Sequence, residues 1–273
     1  MKVWLNGALV DEARARIDPA DRGFLLGDGL FETFLAIGGR VLYGEAHLTR
    51  LRQGAVTLGI PLDYDDAALL EACMALLHTN GMTARAALRL TLTRGPGARG
   101  LAPPENVRPT VLLTGSQAPP PRRSLNMITS AAWRHELSPL SRFKTLNYLD
   151  NILARREAEA RGADEAVMLN TRGYAAGASA ANLWVVEGGA LITPPVSDGA
   201  LPGIMRACVF EVAGGLNIEA QEARLTPKRL AAADEIFLTN SLIGACPVHQ
   251  FDGRVLRPRL AVRVQKALAA RQD

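Results

Sequence analysis

Three consecutive prolines, Pro119-Pro120-Pro121, constrain this chain more than any other feature. Each ring fixes φ and removes an amide donor, so the run can join neither a helix interior nor a central strand. The chain is expected to divide there. This predicts a small N-terminal domain over residues 1–113, a Pro-rich linker over 114–123 and a larger C-terminal domain over 124–273. With 273 residues, 48% of them hydrophobic, there is enough apolar mass for two modest cores.

Periodicity fills in both halves. Asn6-Gly7 separates Val3-Trp4-Leu5 from Ala8-Leu9-Val10, and Asn-Gly is the strongest two-residue hairpin signal. A glycine-punctuated stretch, 21–29, leads to a strand over Leu30–Ile37, then a Gly38-Gly39 turn and a short strand over 41–43. Leu48, Leu51, Ala55 and Leu58 recur at helical spacing, which predicts a helix over 45–58, and a second helix follows over 66–78. Leu88, Leu90 and Leu92 alternate with polar residues as a strand does, and 109–113 reads as another. Beyond the prolines, helices are expected over 147–161, 203–213 and 260–270. Strands are expected near 166–169, 183–186, 191–193 and 236–239. The class is mixed α and β in two domains.

Charge and cysteine usage exclude several roles. Lys and Arg number 31 against 27 Asp and Glu, for a net charge of +4. The two signs are interspersed rather than gathered in runs, so a solvated surface fits and nucleic-acid binding does not. No stretch approaches the ~18 apolar residues of a membrane span, and the N-terminus has no apolar leader. Cys73, Cys208 and Cys246 form no metal-binding spacing and lie among apolar residues, which predicts buried thiols in a reducing cytoplasm. No metal is expected.

Lys144 lies in Ser141-Arg142-Phe143-Lys144-Thr145-Leu146-Asn147-Tyr148, just before a helix. Its company gives it meaning. Gly27-Asp28-Gly29-Leu30-Phe31-Glu32-Thr33 comes first, then His47-Leu48-Thr49-Arg50-Leu51. Lys144 to Asn147 follows, with Gly162-Ala163-Asp164-Glu165-Ala166. Last come Tyr174 to Asn182, Gly203-Ile204-Met205-Arg206, Ala233-Asp234-Glu235 and Pro247-Val248. In this order, over nearly the whole chain, they resemble the class IV aminotransferases, the fold-type IV pyridoxal-5′-phosphate (PLP) enzymes. That family includes branched-chain and D-amino-acid aminotransferases and 4-amino-4-deoxychorismate lyase.

The resemblance implies a two-domain α+β fold, with a small N-terminal α/β domain and a larger C-terminal domain built on a barrel-like sheet. It implies that Lys144 carries PLP as a Schiff base and shuttles the substrate proton, work that suits a lysine whose free amine is both nucleophile and base. Arg50 would grip the cofactor phosphate with a planar, permanently charged fork of donors. Gly203, Ile204 and Met205 would offer it the amides of a helix start. Members often carry a hydroxyl residue where Met205 stands, so there the main chain alone would contribute. Ser241 would add a contact. Tyr148 would reach cofactor or substrate, an ordinary core tyrosine being the alternative. Arg99, on the glycine-rich stretch 93–100, would bind a substrate carboxylate in the neighbouring subunit of a homodimer. A plain surface loop is the alternative there.

One departure matters. Where members carry a glutamate that faces the pyridine nitrogen, in the pattern Glu-x-Ser-x-x-Asn, this chain has Gly177 before Ser179 and Asn182. A carboxylate there keeps the ring nitrogen protonated and makes PLP a strong electron sink. Thr33, the Arg94–Gly100 stretch, Gly203–Arg206 and Asn240-Ser241-Leu242 lean towards the lyase, which releases pyruvate from 4-amino-4-deoxychorismate to leave 4-aminobenzoate for folate synthesis. Thr33 is then a substrate-side residue. Leu101 leans the other way, because lyases often have an aromatic residue there and D-amino-acid aminotransferases a histidine. The alternatives are an aminotransferase of branched-chain or D-amino acids, and a PLP-fold protein with weakened catalysis because of Gly177.

Overall fold

The computed structural model describes residues 1–271. The chain forms two compact units: Met1–Pro119 with Phe143–Asn147, and Pro120–Arg142 with the chain from Tyr148 onward. The predicted C-terminal domain took in all of 124–273, whereas the lysine segment groups with the first unit. Of the expected linker over 114–123, residues 114–117 continue the strand Thr110–Gln117, which ends before the prolines.

The first unit begins with a hairpin, β1 (Lys2–Leu5) and β2 (Ala8–Asp11). It turns on Asn6 and Gly7, whose φ angles are 47° and 96°. Then come α1 (Arg22–Leu26), β3 (Gly29–Ile37), β4 (Arg40–Val41), α2 (Gly44–Leu58), α3 (Asp66–Thr79), β5 (Arg85–Thr93) and β6 (Thr110–Gln117). The six strands form one sheet in the order β2-β1-β6-β5-β3-β4, antiparallel throughout. Leu30 and Phe34 of β3, with Leu88, Leu90 and Leu92 of β5, pack against Leu48, Leu51 and Ala55 of α2 and Leu69 and Leu76 of α3. Period two meets period 3.6 there, and one core results.

The second unit comprises β7 (Leu125–Arg134), α4 (Leu149–Ala160), β8 (Glu165–Asn170), β9 (Ala175–Ala178), β10 (Asn182–Glu187), β11 (Ala190–Thr193), α5 (Ile204–Gly215), β12 (Ala220–Glu222), α6 (Pro227–Ala232), β13 (Glu235–Asn240), β14 (Gly244–Phe251), β15 (Arg254–Val255) and α7 (Leu260–Ala269). Its strands run β12-β11-β10-β13-β14-β7-β8-β9, with β15 on β14. β9 ends this path and β10 lies near its other end, yet only Ser179-Ala180-Ala181 join them. The sheet must therefore curl back on itself, which makes it barrel-like. Leu125, Val167, Leu183, Val185, Leu238 and Val248 belong to one buried cluster along it. Trp184 packs instead edge-on against Phe210 of α5 and stacks on Phe237, with ring centroids 5.0 and 5.8 Å away.

Two long strands, β7 and β14, have no counterpart in the periodicity. β7 mixes polar and apolar residues without strict alternation. β14 contains Pro247, which argues against a strand. The structure tolerates that proline because pairing with β7 starts one residue later, at Val248.

Candidate active site

The lysine segment lies along the first half of β3. The Phe31 amide donates to the Lys144 carbonyl at 2.9 Å, and the Leu146 amide donates to the Gly29 carbonyl at 3.0 Å. Asn147 Nδ2 closes the segment on the Gly27 carbonyl at 3.0 Å. Lys144 Nζ stands 3.6 Å from the centroid of the Phe31 ring, and the Arg89 guanidinium carbon stands 3.8 Å from the same centroid. Thr33 is paired with Arg89 across the sheet. Alternation puts it on the Phe31 side of β3. Lys144 and Thr33, singled out separately in the sequence, thus share one face.

Arg50 belongs to the opposite face. Its Nε donates to Glu32 Oε1 at 2.8 Å and its Nη2 to Glu32 Oε2 at 2.7 Å. His47 Nδ1 lies 2.7 Å from that same Oε2. One turn of α2 separates His47 from Arg50, so both reach a single residue of β3. Exposures are 1% for Glu32 and His47 and 9% for Arg50. Burial works to raise the Glu32 carboxyl, but the hydrogen bonds and charges of His47 and Arg50 outweigh it and hold the group below its ordinary value.

Arg99 is exposed and lines a cleft of about 530 Å³ formed by Arg22, Leu25 and Leu26 with Gly97 to Leu101. The loop beneath it is held by its main chain. Arg22 donates to the carbonyls of Gly100, Leu101 and Ala102 at 3.0, 2.9 and 3.2 Å. Asp28 accepts from Nε of both Arg22 and Arg94 at 2.8 Å. Burial opposes the charge on Asp28, and the two guanidiniums prevail, keeping it below its usual value. Arg94 continues to the carbonyls of Leu58 and Gly59, which end α2.

In the second unit, α5 opens at Gly203 with no side-chain cap. Amides of the first turn of a helix lack intrahelical partners, so this end suits an anion. Glycine is required at 203: a Cβ there would come within 1.9 Å of Asn182 Oδ1. Asn182 in turn donates to the Leu201 carbonyl at 2.8 Å. Ile204 is half-buried, and the Met205 side chain is only 1% exposed, so Met205 can offer a ligand only its main chain. Ser241 sits in the turn after β13, which Asn240 Oδ1 fixes by accepting from the amides of Leu242 and Ile243. Tyr148 is half-buried at the start of α4. Burial pulls the Arg134 guanidinium below its ordinary range, and the neighbouring Tyr148 and Asp150 act the other way.

Gly177 lies in β9 opposite Met168. Its φ is +157°, and a Cβ there would lie 3.3 Å from the Ala181 carbonyl oxygen. The buried carboxylates of this unit, among the described residues, are engaged elsewhere. Glu136 takes Thr171 and Arg172. Glu165 takes Ser179 and Arg155. Asp198 takes Arg172 and Arg224. Glu235 takes the amides that open α7.

A lysine beside an aromatic ring and an arginine fixed in a buried cluster belong to the first unit, and a helix start without a side-chain cap belongs to the second. The class IV amino-transferase family model matches residues 29–251, and the chain belongs to that family. A Methanocaldococcus jannaschii protein provisionally named branched-chain-amino-acid aminotransferase is 34% identical over 98% of this chain and 94% of its own. The D-alanine aminotransferase of Staphylococcus epidermidis is 28% identical over 92% of this chain and 89% of its own. The crystal structure of 4-amino-4-deoxychorismate lyase from Pseudomonas aeruginosa superposes with a TM-score of 0.87 at 33% identity, covering 98% of each chain. The protein is thus a PLP-dependent enzyme with the fold-type IV architecture. Residue 177 is a glycine where the family pattern carries a glutamate.

Sequence reading did not assign partners to Arg50 or to the Arg99 loop. Glu32, His47, Asp28 and Arg94 all stand inside quoted motifs, but spacing along the chain does not reveal which of them meet. Arg22, Arg134 and the hold of Asn182 on the α5 start carried no signal.

Proposed function

We propose that this enzyme is a lyase that releases pyruvate from 4-amino-4-deoxychorismate to give 4-aminobenzoate. Lys144, Arg50, Thr33 and Arg99 belong to the first unit, and Tyr148, Gly203, Ile204, Met205 and Ser241 to the second. Thr33 and the Arg94–Gly100, Gly203–Arg206 and Asn240-Ser241-Leu242 stretches carry the reading, supported by the 33% identity to the P. aeruginosa lyase, and Gly177 is compatible with it. Bound PLP supplies a sink for the electron pair left when the carbon bearing the substrate nitrogen loses its proton. Residue 177 adds nothing to strengthen that sink. Transamination must store the electron pair until a proton returns at another carbon. A β-elimination discharges the pair into the leaving group and depends less on storage. Lys144 takes the proton, the bond to the β-substituent breaks, and the departing three-carbon unit gains a proton to become pyruvate. Thr33, on the Lys144 face, is placed to hold the substrate there.

A second reading, a branched-chain or D-amino-acid aminotransferase, rests on the 34% identity to the M. jannaschii relative. Purified enzyme given aminodeoxychorismate should release 4-aminobenzoate and pyruvate, and branched-chain or D-amino acids should yield little keto acid. Keto-acid formation without 4-aminobenzoate release would reverse the assignment. The Lys144→Ala variant should lose both activities.

We also propose a cytoplasmic homodimer. Phe24, Leu25 and Leu101 are 79%, 57% and 82% exposed beside Arg99, more apolar surface than one loop region normally leaves in water. Among the described residues no helix is long and apolar enough to cross a membrane. Mixing inactive Lys144→Ala chains with Arg99→Ala chains of raised KM should restore the wild-type KM in a share of the sites if Arg99 serves the partner's site. Absence of any rescue would place Arg99 outside it.

A further inference from the structure

The Glu32–His47–Arg50 cluster is costly to bury and must therefore do something for the site. An arginine on a helix has four side-chain torsions and would sample many directions in water. Two parallel hydrogen bonds to one carboxylate fix the guanidinium plane, and with it the direction of every other N–H bond it carries. Glu32 is itself held. It sits on a paired strand, and His47 Nδ1 engages Oε2, the oxygen that also receives Arg50 Nη2. The His47 ring packs in turn on Phe34, with centroids 4.9 Å apart.

We propose that Glu32, steadied by His47, is a positioning residue that sets the Arg50 guanidinium for the cofactor's phosphate group. This rests on the reading of Arg50 as the phosphate cation. Glu32 lies on the face of β3 opposite Phe31 and Lys144, so its influence should follow the phosphate alone. A purely structural role would weaken every ligand of the site alike.

The test compares PLP with pyridoxal, the same ring without its phosphate, by equilibrium binding to the apo-enzyme. Glu32→Gln keeps the shape and removes the charge that orients Arg50. It should weaken PLP about tenfold or more, as expected for loss of a charged hydrogen bond, and change pyridoxal less than about twofold on the same scale. Equal loss for both ligands would overturn the proposal, as would unchanged or tighter PLP binding. His47→Asn retains a donor near the Nδ1 position and should keep PLP affinity, whereas His47→Leu should lose it selectively. That pair decides the matter even if Glu32→Gln fails to fold: an Asn variant as weak as the Leu variant, or a Leu variant as tight as wild type, refutes it. Arg50→Gln keeps the two questions apart. If Arg50→Gln, which removes the charge, binds PLP as wild type does, the phosphate reading of Arg50 fails, whatever Glu32 does.

Discussion

The first unit anchors two arginines in different ways. Arg50 is fixed by side chains: a bidentate carboxylate, an imidazole behind it, and burial of all three. Arg99 stands on a loop fixed by main-chain carbonyls, which Arg22 gathers one after another. The first arrangement specifies residue types, since no other pair replaces a planar fork facing a carboxylate. The second specifies only the path of the backbone, so the side chains at 98, 99 and 101 can change without loosening the loop, whereas Gly100 is held by its φ of 120°. An arginine fixed by residue type thus stands in the same unit as a loop open to variation. That division explains how relatives bearing three different reaction names match this chain over nine-tenths or more of its length.

The contrast can be tested in order of expected effect. Glu32→Ala strands a buried guanidinium and should destabilise the protein by about 3–5 kcal/mol in denaturant unfolding. A loss under 1 kcal/mol, on that same scale, would mean the cluster relaxes as readily as the loop. Acid offers a second probe. Glu32 is held below its ordinary value of 4.5 in the fold, so its ionised form is favoured by folding. Its contribution is complete above pH 4.5 and is lost as pH falls through the lowered folded value. Glu32→Gln should therefore flatten the pH dependence of unfolding on the acid side, and an unaltered profile would show that other carboxylates govern it.

Arg22→Ala should cost about 2 kcal/mol, since Asp28 keeps Arg94 and only carbonyl partners are left to water. Its mark should be a raised KM for the amino substrate with unchanged PLP affinity. Loss of PLP binding would erase the distinction between the two anchors. Arg99→Ala should leave stability within about 0.5 kcal/mol and raise KM roughly tenfold or more. Leu101→Ser should change stability least of all and alter only the preference among substrates.

These two anchors also show what the chain discloses by itself. The hairpin at Asn6-Gly7, the alternating leucines of β5 and the helical spacing of α2 were legible because each is a local pattern. Strand β14 was not, because Pro247 forbids a strand by local rules and is admitted only by the point at which β7 joins. At the site, Lys144 and Arg50 stood out through motifs, whereas the meeting of Glu32 with His47 and Arg50 depends on how a helix lies over a strand. Arg22 had no motif at all, because a residue that binds carbonyls needs no particular residue type opposite it.

The return of Phe143–Asn147 to the first unit has a consequence for synthesis on the ribosome. The opening sheet is complete in sequence by Gln117, so its strands can pair while the rest of the chain is still being made. Lys144 emerges only after β7, the first strand of the second unit, and must travel back to lie along β3. A nascent chain released early would thus carry the complete sequence of the sheet and Arg50, but not Lys144.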